Sequence, residues 1–221
     1  MGYQFIIYAI ILVIIFIVFP PIIRKQTYKK CMEDLENQDF EKFEKDIDSL
    51  ASKMSFSAFS RECLRLSEYE AMGNLKKADE QVQFMENMRL NKKQKAILGE
   101  RGFYVYLSSG KIKKARRMLE MVKEFGTPQQ VEPLELSYSI LLKKESKHIN
   151  TCKERYSKLW DGKSPMDSAT AMRAGTMEYF LGLQYSYDKD VKNTKHYMNL
   201  AKEHLAGTPY IEDINRVLAS I

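Results

Sequence analysis

Two stretches of this chain share one set of internal spacings, and no other feature of the sequence restricts the fold as tightly. Tyr69, Gly73, Ala78 and Val82 stand four, five and four residues apart, and Tyr106, Gly110, Ala115 and Leu119 repeat those intervals 37 residues later. A third set, Tyr185, Thr194 and Met198, keeps the intervals of nine and four, with Asp188-Lys189-Asp190 in place of the glycine. The physical reading is a helical hairpin. A glycine permits the positive φ that ends a first helix. A small residue five positions on lets a second helix cross the first closely. An aromatic packs from the first helix, and an aliphatic residue one turn later closes the interface. Gly126-Thr127-Pro128 and Gly207-Thr208-Pro209 recur after the second helices. Abundant Leu, Met, Glu and Lys, with six prolines and ten glycines, favour helix throughout.

The remaining segments fit more helices. Thr27 to Glu36 reads as one helix, Asn37-Gln38-Asp39 as a turn, and Asp39 as an N-cap. Phe40, Phe43, Ile47, Leu50 and Met54 then form one amphipathic stripe in steps of three and four. Over 132–160, Pro133 suits a first-turn position, Leu134, Tyr138, Leu141 and Leu142 form one face, and Ile149, Cys152, Tyr156, Leu159 and Trp160 another. Asp161 to Pro165 is a loop, and Ser164, Pro165 and Asp167 mark a helix start. A last helix with the stripe Ile211, Ile214, Leu218 and Ile221 suits the open end of a stack. The expected hairpins are 27–56, 57–92, 94–126, 132–160 and 165–206, with a cap over 209–221.

Tyrosine, alanine nine residues on, a large apolar residue four further and a closing proline resemble the tetratricopeptide repeat. Tyr69/Ala78/Val82 and Tyr106/Ala115/Leu119 carry the resemblance best, with Pro128 one place late. Where the family places Trp, Leu and Gly in its first helix, this chain has Glu62, Arg65 and Leu66 in one unit and Gly99, Gly102 and Phe103 in the next. The resemblance spans 59–128 and 166–209, and takes in 27–56 and 132–160 as diverged copies. It implies an all-α chain built as a TPR-like α-solenoid of about five helical hairpins with a C-terminal capping helix. It also implies a concave groove, lined by the first helix of each hairpin, that holds a peptide or helix of a protein partner. Carried over by register, that face is Cys63, Ser67, Glu70, Glu100, Tyr104, Leu107, Tyr179 and Leu183. The family's clamp for C-terminal carboxylates uses Lys and Asn where this chain has Cys63/Ser67 and Glu100/Tyr104, so that specificity is not expected. The tyrosines have a plainer reading too, as packing between hairpins.

The N-terminal stretch raises a separate expectation. Residues 3–19 carry no charge, and thirteen of the seventeen are Ile, Leu, Val or Phe. A helix of that length spans roughly 26 Å, close to a bilayer core. Its apolar residues contribute about −5 kcal/mol on an insertion scale. Pro20 and Pro21 are expected to stop it. The expectation is a transmembrane anchor over 3–19, a juxtamembrane linker over 20–26 and the repeat region over 27–221. Arg24, Lys25, Lys29 and Lys30 after the span place the N-terminus outside and the C-terminal domain in the cytoplasm.

Chemistry-bearing motifs are sparse. The chain has no G-x-S-x-G, H-E-x-x-H, P-loop or G-x-G-x-x-G, so no enzymatic activity, cofactor or small-molecule substrate is expected. Cys31, Cys63 and Cys152 are odd in number and widely spaced, against a disulfide framework or structural zinc site. His148 and Cys152, four apart, lack a third ligand, so no metal is expected. His196 and His204 read as surface residues, and Cys31 as buried in the first hairpin rather than lipidated. Residues 93–128 hold nine basic and three acidic side chains, which is the whole net charge of +6. Within them Lys111, Lys113, Lys114, Arg116 and Arg117 form a candidate anionic-surface site without interleaved aromatics. The functional expectation is a membrane-tethered scaffold or adaptor for protein–protein interaction. The alternative is a nucleic-acid-binding or anionic-surface-binding helical-repeat protein using residues 111–117.

Overall fold

A computed structural model describes residues 19–161 and 163–221, and these are helical, with no strand among them. The fold class is all-α. The chain forms two compact units. Unit 1, to Thr127, contains α1 (Phe19–Glu36), α2 (Phe40–Ile47), α3 (Leu50–Ser55), α4 (Ala58–Ala71), α5 (Leu75–Glu86), α6 (Lys92–Ser108) and α7 (Ile112–Phe125). Unit 2, from Pro128, contains α8 (Pro128–Ser137), a π-helical turn (Tyr138–Leu142), α9 (Ile149–Leu159), α10 (Ser168–Tyr187), α11 (Val191–His204) and α12 (Tyr210–Ala219). Helices α4/α5, α6/α7 and α10/α11 pack as antiparallel neighbours, α5 also meets α6, and α12 packs on α10 and α11.

One backbone turn joins four helix pairs, α1/α2, α4/α5, α6/α7 and α10/α11. Gly73 and Gly110 both sit at φ +64, and Lys189 takes the same place at φ +60. Gln38, at φ +57, adds a fourth copy that the sequence spacing had not revealed. In each, the next N–H donates to the carbonyl five residues back: Asp39 to Asp34 and Asn74 to Tyr69 at 2.9 Å, Lys111 to Tyr106 at 2.9 Å, and Asp190 to Tyr185 at 3.0 Å. The second helix then starts on a side-chain cap where chemistry allows one. Asp39, Asn74 and Asp190 accept from the N–H three residues on, whereas Lys111 cannot. The fourth copy escaped notice because Asp34 replaces the tyrosine and Phe43 the small residue, while only glycine announces a left-handed turn.

The interior follows from these turns. Tyr106, Ala78, Val82, Ala115 and Met118 are wholly buried in unit 1, as are Thr194, Met198 and Ala201 in unit 2. Glycines inside α6 bring α7 close. A Cβ on Gly99 would stand 2.8 Å from Val122 Cγ2 and 3.0 Å from the Met118 carbonyl, and one on Gly102 would stand 2.7 Å from Met118 Sδ. Gly182 plays the same part in α10, where a Cβ would meet Met198 at 2.8 Å. Pairs of glycines inside predicted helices were the available signal for these close crossings.

Several expectations are corrected. The anchor expected over 3–19 lies, apart from Phe19, outside the described residues. Among the described residues no helix is long and apolar enough to cross a membrane. That finding withdraws the transmembrane element of the expected fold class, the single-pass membrane class, and the cytoplasmic placement of the C-terminal domain. Residues 20–26, expected as a linker, are helical, and Pro20 and Pro21 lie inside α1. A proline's missing bond and steric clash fall on the turn before it, and its fixed φ suits a helix that continues after it. The helix is rich in charge from Arg24 onward, and its buried residues, Cys31, Asp34 and Leu35, come in its last turns.

The stripe from Phe40 to Met54 breaks in two. Phe43 and Ile47 are buried, but Leu50 and Met54 are 74% and 80% exposed. Asp48 ends α2, and Ser49, extended at ψ 156, caps α3 through Ser52 N–H, turning the rest of the stripe outward. Pro133 lies inside α8, which Pro128 opens. The π turn after it widens the ring of one bond, Lys143 N–H to Tyr138 carbonyl at 3.1 Å, and rotates the expected face. Leu136 and Ile140 are therefore buried, while Leu141 and Leu142 are only partly so. Asp167 caps α10 through Thr170 N–H, while Ser164 belongs to the preceding loop. Gly126 and Gly207 differ as well, at φ −93 and +77, so the two Gly-Thr-Pro segments do not share a backbone.

Two stability measurements test this account. Replacing Lys189 by glycine relieves a left-handed non-glycine residue and should stabilise the protein by about 0.5–1 kcal/mol in a urea titration. Gly99→Ala should destabilise it by about 1–3 kcal/mol, because a backbone carbonyl stands in the way, despite alanine's better helix propensity. Gly102→Ala should cost less, since the obstructing Met118 thioether can turn aside.

Candidate partner-binding faces

The face expected to hold a partner falls into two parts with different fates. In unit 1, α4 presents Cys63, Ser67 and Glu70, and α6 presents Glu100, Tyr104 and Leu107. The two helices are tied by a residue the sequence reading passed over. Arg101 donates to the Cys63 carbonyl at 2.6 Å, to the Ser67 hydroxyl at 2.9 Å and to Glu70 at 2.5 Å. A planar guanidinium can satisfy three acceptors at once, so it fixes the spacing of this face. Tyr104 follows Arg101 by three residues on the same side of α6 and is 44% exposed. Cys63, Ser67, Glu100 and Leu107 are half-buried and Glu70 is exposed. Burial pushes the Cys63 thiol up, against the opposing effect of Arg101.

In unit 2 the corresponding residues are covered. Tyr179 and Leu183 are each 5% exposed. The Tyr179 phenol donates to Asp213 of α12 at 2.5 Å, and its ring packs on Tyr210 with centroids 5.1 Å apart. The expectation of an open anchor at these two residues is corrected: α12, packed on α10, turns Tyr179 into an interior contact.

The basic segment is largely neutralised within unit 1. Lys111 and Lys114 pair with Asp79 at 2.6 and 2.7 Å, and Arg117 pairs with Glu86 at 2.5 Å. Burial pushes the Asp79 carboxyl up, but hydrogen bonds from Lys111, Lys114 and Gln83 outweigh it and hold the group well below the usual carboxylate range. Only Lys113 and Arg116 of the five have no acidic partner among the described residues. The spacing of lysines could not show this, because Asp79 and Glu86 lie on the preceding hairpin, more than thirty residues away.

The groups that could have carried chemistry are engaged elsewhere. His148 Nε2 is 3.0 Å from the Ser139 hydroxyl, and that hydroxyl donates to Glu145 at 2.5 Å. Hydrogen bonds from Lys147 and Ser139 lower the Glu145 pKa to about 2, so its carboxylate can only accept. The Ser139 proton therefore points to Glu145 and the Nε2 proton to Ser139, which leaves His148 no role as a base toward that serine. Cys152 is buried, accepts weakly from Gln184 at 3.5 Å, and is pushed up to about 11 by burial. Cys31 lies wholly inside the first hairpin, pushed up to about 11 by burial and by Asp46. No group of three or more metal-ligating side chains occurs among the described residues. His204 is not a surface residue: its Nδ1 stands 2.7 Å from the fully buried Glu178.

Comparison with known proteins returned nothing similar. No family model, no curated protein and no solved structure matches the chain. The functional reading therefore rests on these residues alone.

One buried acid behind the α4 face gives a pH test. Glu68 is 1% exposed, and burial together with the nearby Glu44 carboxylate pushes its pKa from 4.5 up to about 7. The folded state then holds more protons than the unfolded chain between those values, so this group's contribution to stability falls as pH rises through the window. Glu68→Gln should raise the melting temperature by a few degrees at pH 8 and leave it nearly unchanged at pH 4.5, in paired thermal melts.

Proposed function

We propose that this chain is a tetratricopeptide-like helical-repeat protein that binds a protein partner on the α4/α6 face of unit 1. The supporting observation is the Arg101 brace. It holds Ser67 and Glu70 in register with Tyr104, so that a large, exposed aromatic stands on a preorganised surface. Such an arrangement favours binding because an aromatic side chain covers much area at little entropic cost. The hairpin turn shared by four helix pairs supports the repeat reading. A peptide or short helix of the partner would lie along the face, with its apolar side on Tyr104 and Leu107 and polar contacts to Ser67, Glu70 and Glu100. The role is one of binding and positioning rather than catalysis.

The rival reading, an anionic partner on residues 111–117, is disfavoured by the pairing of Lys111, Lys114 and Arg117 with Asp79 and Glu86. The two readings separate in one experiment. The tagged chain is recovered from its native cells beside a Tyr104→Ala/Leu107→Ala variant and a Lys113→Ala/Arg116→Ala variant, and co-purifying proteins are compared by mass spectrometry. The first variant should lose its specific partner by at least about tenfold, the scale of one interface anchor, while the second keeps it. Undiminished recovery by a Tyr104→Ala/Leu107→Ala chain with native circular dichroism would sink the face assignment.

A further inference from the structure

Unit 2 contains a cleft of about 420 Å³ that none of the preceding roles uses. It lies between α10 and α12, walled by the chain that leaves the π turn. Its volume falls within the range of small-ligand pockets, roughly 300–1,000 Å³. Leu141, Leu183 and Val217 give it an apolar lining, completed by the rings of Tyr179 and Tyr187. Both phenols are fixed: Tyr179 donates to Asp213, and Tyr187 donates to the Ile140 carbonyl at 2.9 Å, within the π turn. The walls are thus held by hydrogen bonds before any ligand arrives.

The polar groups of the cleft decide what it can take. The Ser186 and Ser220 hydroxyls donate to the Leu183 and Val217 carbonyls, each at 2.7 Å. Asp213 accepts from Tyr179 on one oxygen and pairs with Arg216 on the other at 2.8 Å. With those hydroxyl hydrogens used, the donors still free in the cleft are those of Arg216 and Lys144. Arg216 is 75% exposed and uses one arm of its fork on Asp213. Lys144 stands at the rim with φ +55, a left-handed conformation that a non-glycine residue seldom adopts. Its neighbours Lys143 and Lys147 pair with Glu145, whereas Lys144 has no acidic partner among the described residues. Lys144, Arg216 and Asp213 together leave the cleft with one positive charge, which a monoanion would neutralise.

We propose that this cleft binds a carboxylate carried on an apolar body, with the apolar part on Leu183 and Val217 and the carboxylate between Lys144 and Arg216. A free monocarboxylic acid and an acidic side chain flanked by apolar residues in a peptide share that chemistry. The full chain would be titrated with phenylbutyrate and its neutral amide, and with a blocked Leu-Glu-Leu peptide and its Leu-Gln-Leu counterpart, by saturation-transfer NMR. The acid, the glutamate peptide or both should bind about tenfold more tightly than the neutral counterpart, as loss of charge-assisted hydrogen bonds predicts. The tighter of the two identifies the source. Lys144→Asn, which suits the left-handed backbone, combined with Arg216→Gln should remove that preference while circular dichroism stays native. Val217→Phe, which fills the cleft, should abolish binding of both acids. Equal binding of charged and neutral probes, no binding of any of them, or a preference that survives in the folded double variant would each overturn the proposal.

Discussion

A single left-handed residue, placed between two helices, is what the helix pairs of this protein depend on. In the turns at Gln38, Gly73, Gly110 and Lys189 the chain reverses within three residues, and the following N–H returns to a carbonyl of the first helix. That bond satisfies a group the helix end would otherwise leave open. It also fixes the start of the second helix, and so which of its faces meets the first. The small or apolar residue five places on, Phe43, Ala78, Ala115 or Thr194, is fully buried in every case. Turn and packing are therefore coupled: a shift of one residue in the turn would carry the second helix's apolar face away from its partner.

Electrostatics refines this frame rather than building it. Arg65 gathers Glu44, Asp48 and Glu62, Asp79 gathers two lysines, and Arg101 gathers three acceptors on α4. Each cluster joins one hairpin of unit 1 to the next. Exposed pairs add little stability, but a partly buried charge with several partners fixes geometry, since displacing it leaves the others unmatched. In unit 2 the Glu178–His204 and Tyr179–Asp213 contacts perform the same service for α11 and α12 against α10.

The two units treat the first-helix face differently, and the cause is α12. In unit 1 Tyr104 is exposed on the braced surface of α4 and α6. Where α12 lies over α10, Tyr179 becomes an interior residue, and the gap between the helices becomes a small cleft with a cationic rim. One helical template thus yields an extended face in unit 1 and a small cleft in unit 2.

The spacing of Tyr, Gly, Ala and an aliphatic residue, read alone, determined the all-helical class and the hairpins α4/α5, α6/α7 and α10/α11, because helix pairing by a glycine turn is a local property. It did not reach the turn at Gln38, where a non-glycine residue adopts the same backbone. It did not foresee the break at Asp48-Ser49 or the π turn after Ser137, since a periodic stripe assumes an uninterrupted helix. The helix through Pro20 and Pro21 contradicted a stop rule that acts on the preceding turn only. Of the candidate face, Cys63, Ser67, Glu70 and Tyr104 could be named from register, but Arg101, which assembles them, could not. Only the tertiary structure decided which lysines of 111–117 are neutralised, that Tyr179 is covered, and that Lys144 stands beside an apolar cleft. Each depends on contacts between residues thirty or more positions apart, or on a backbone rotation that periodicity does not encode.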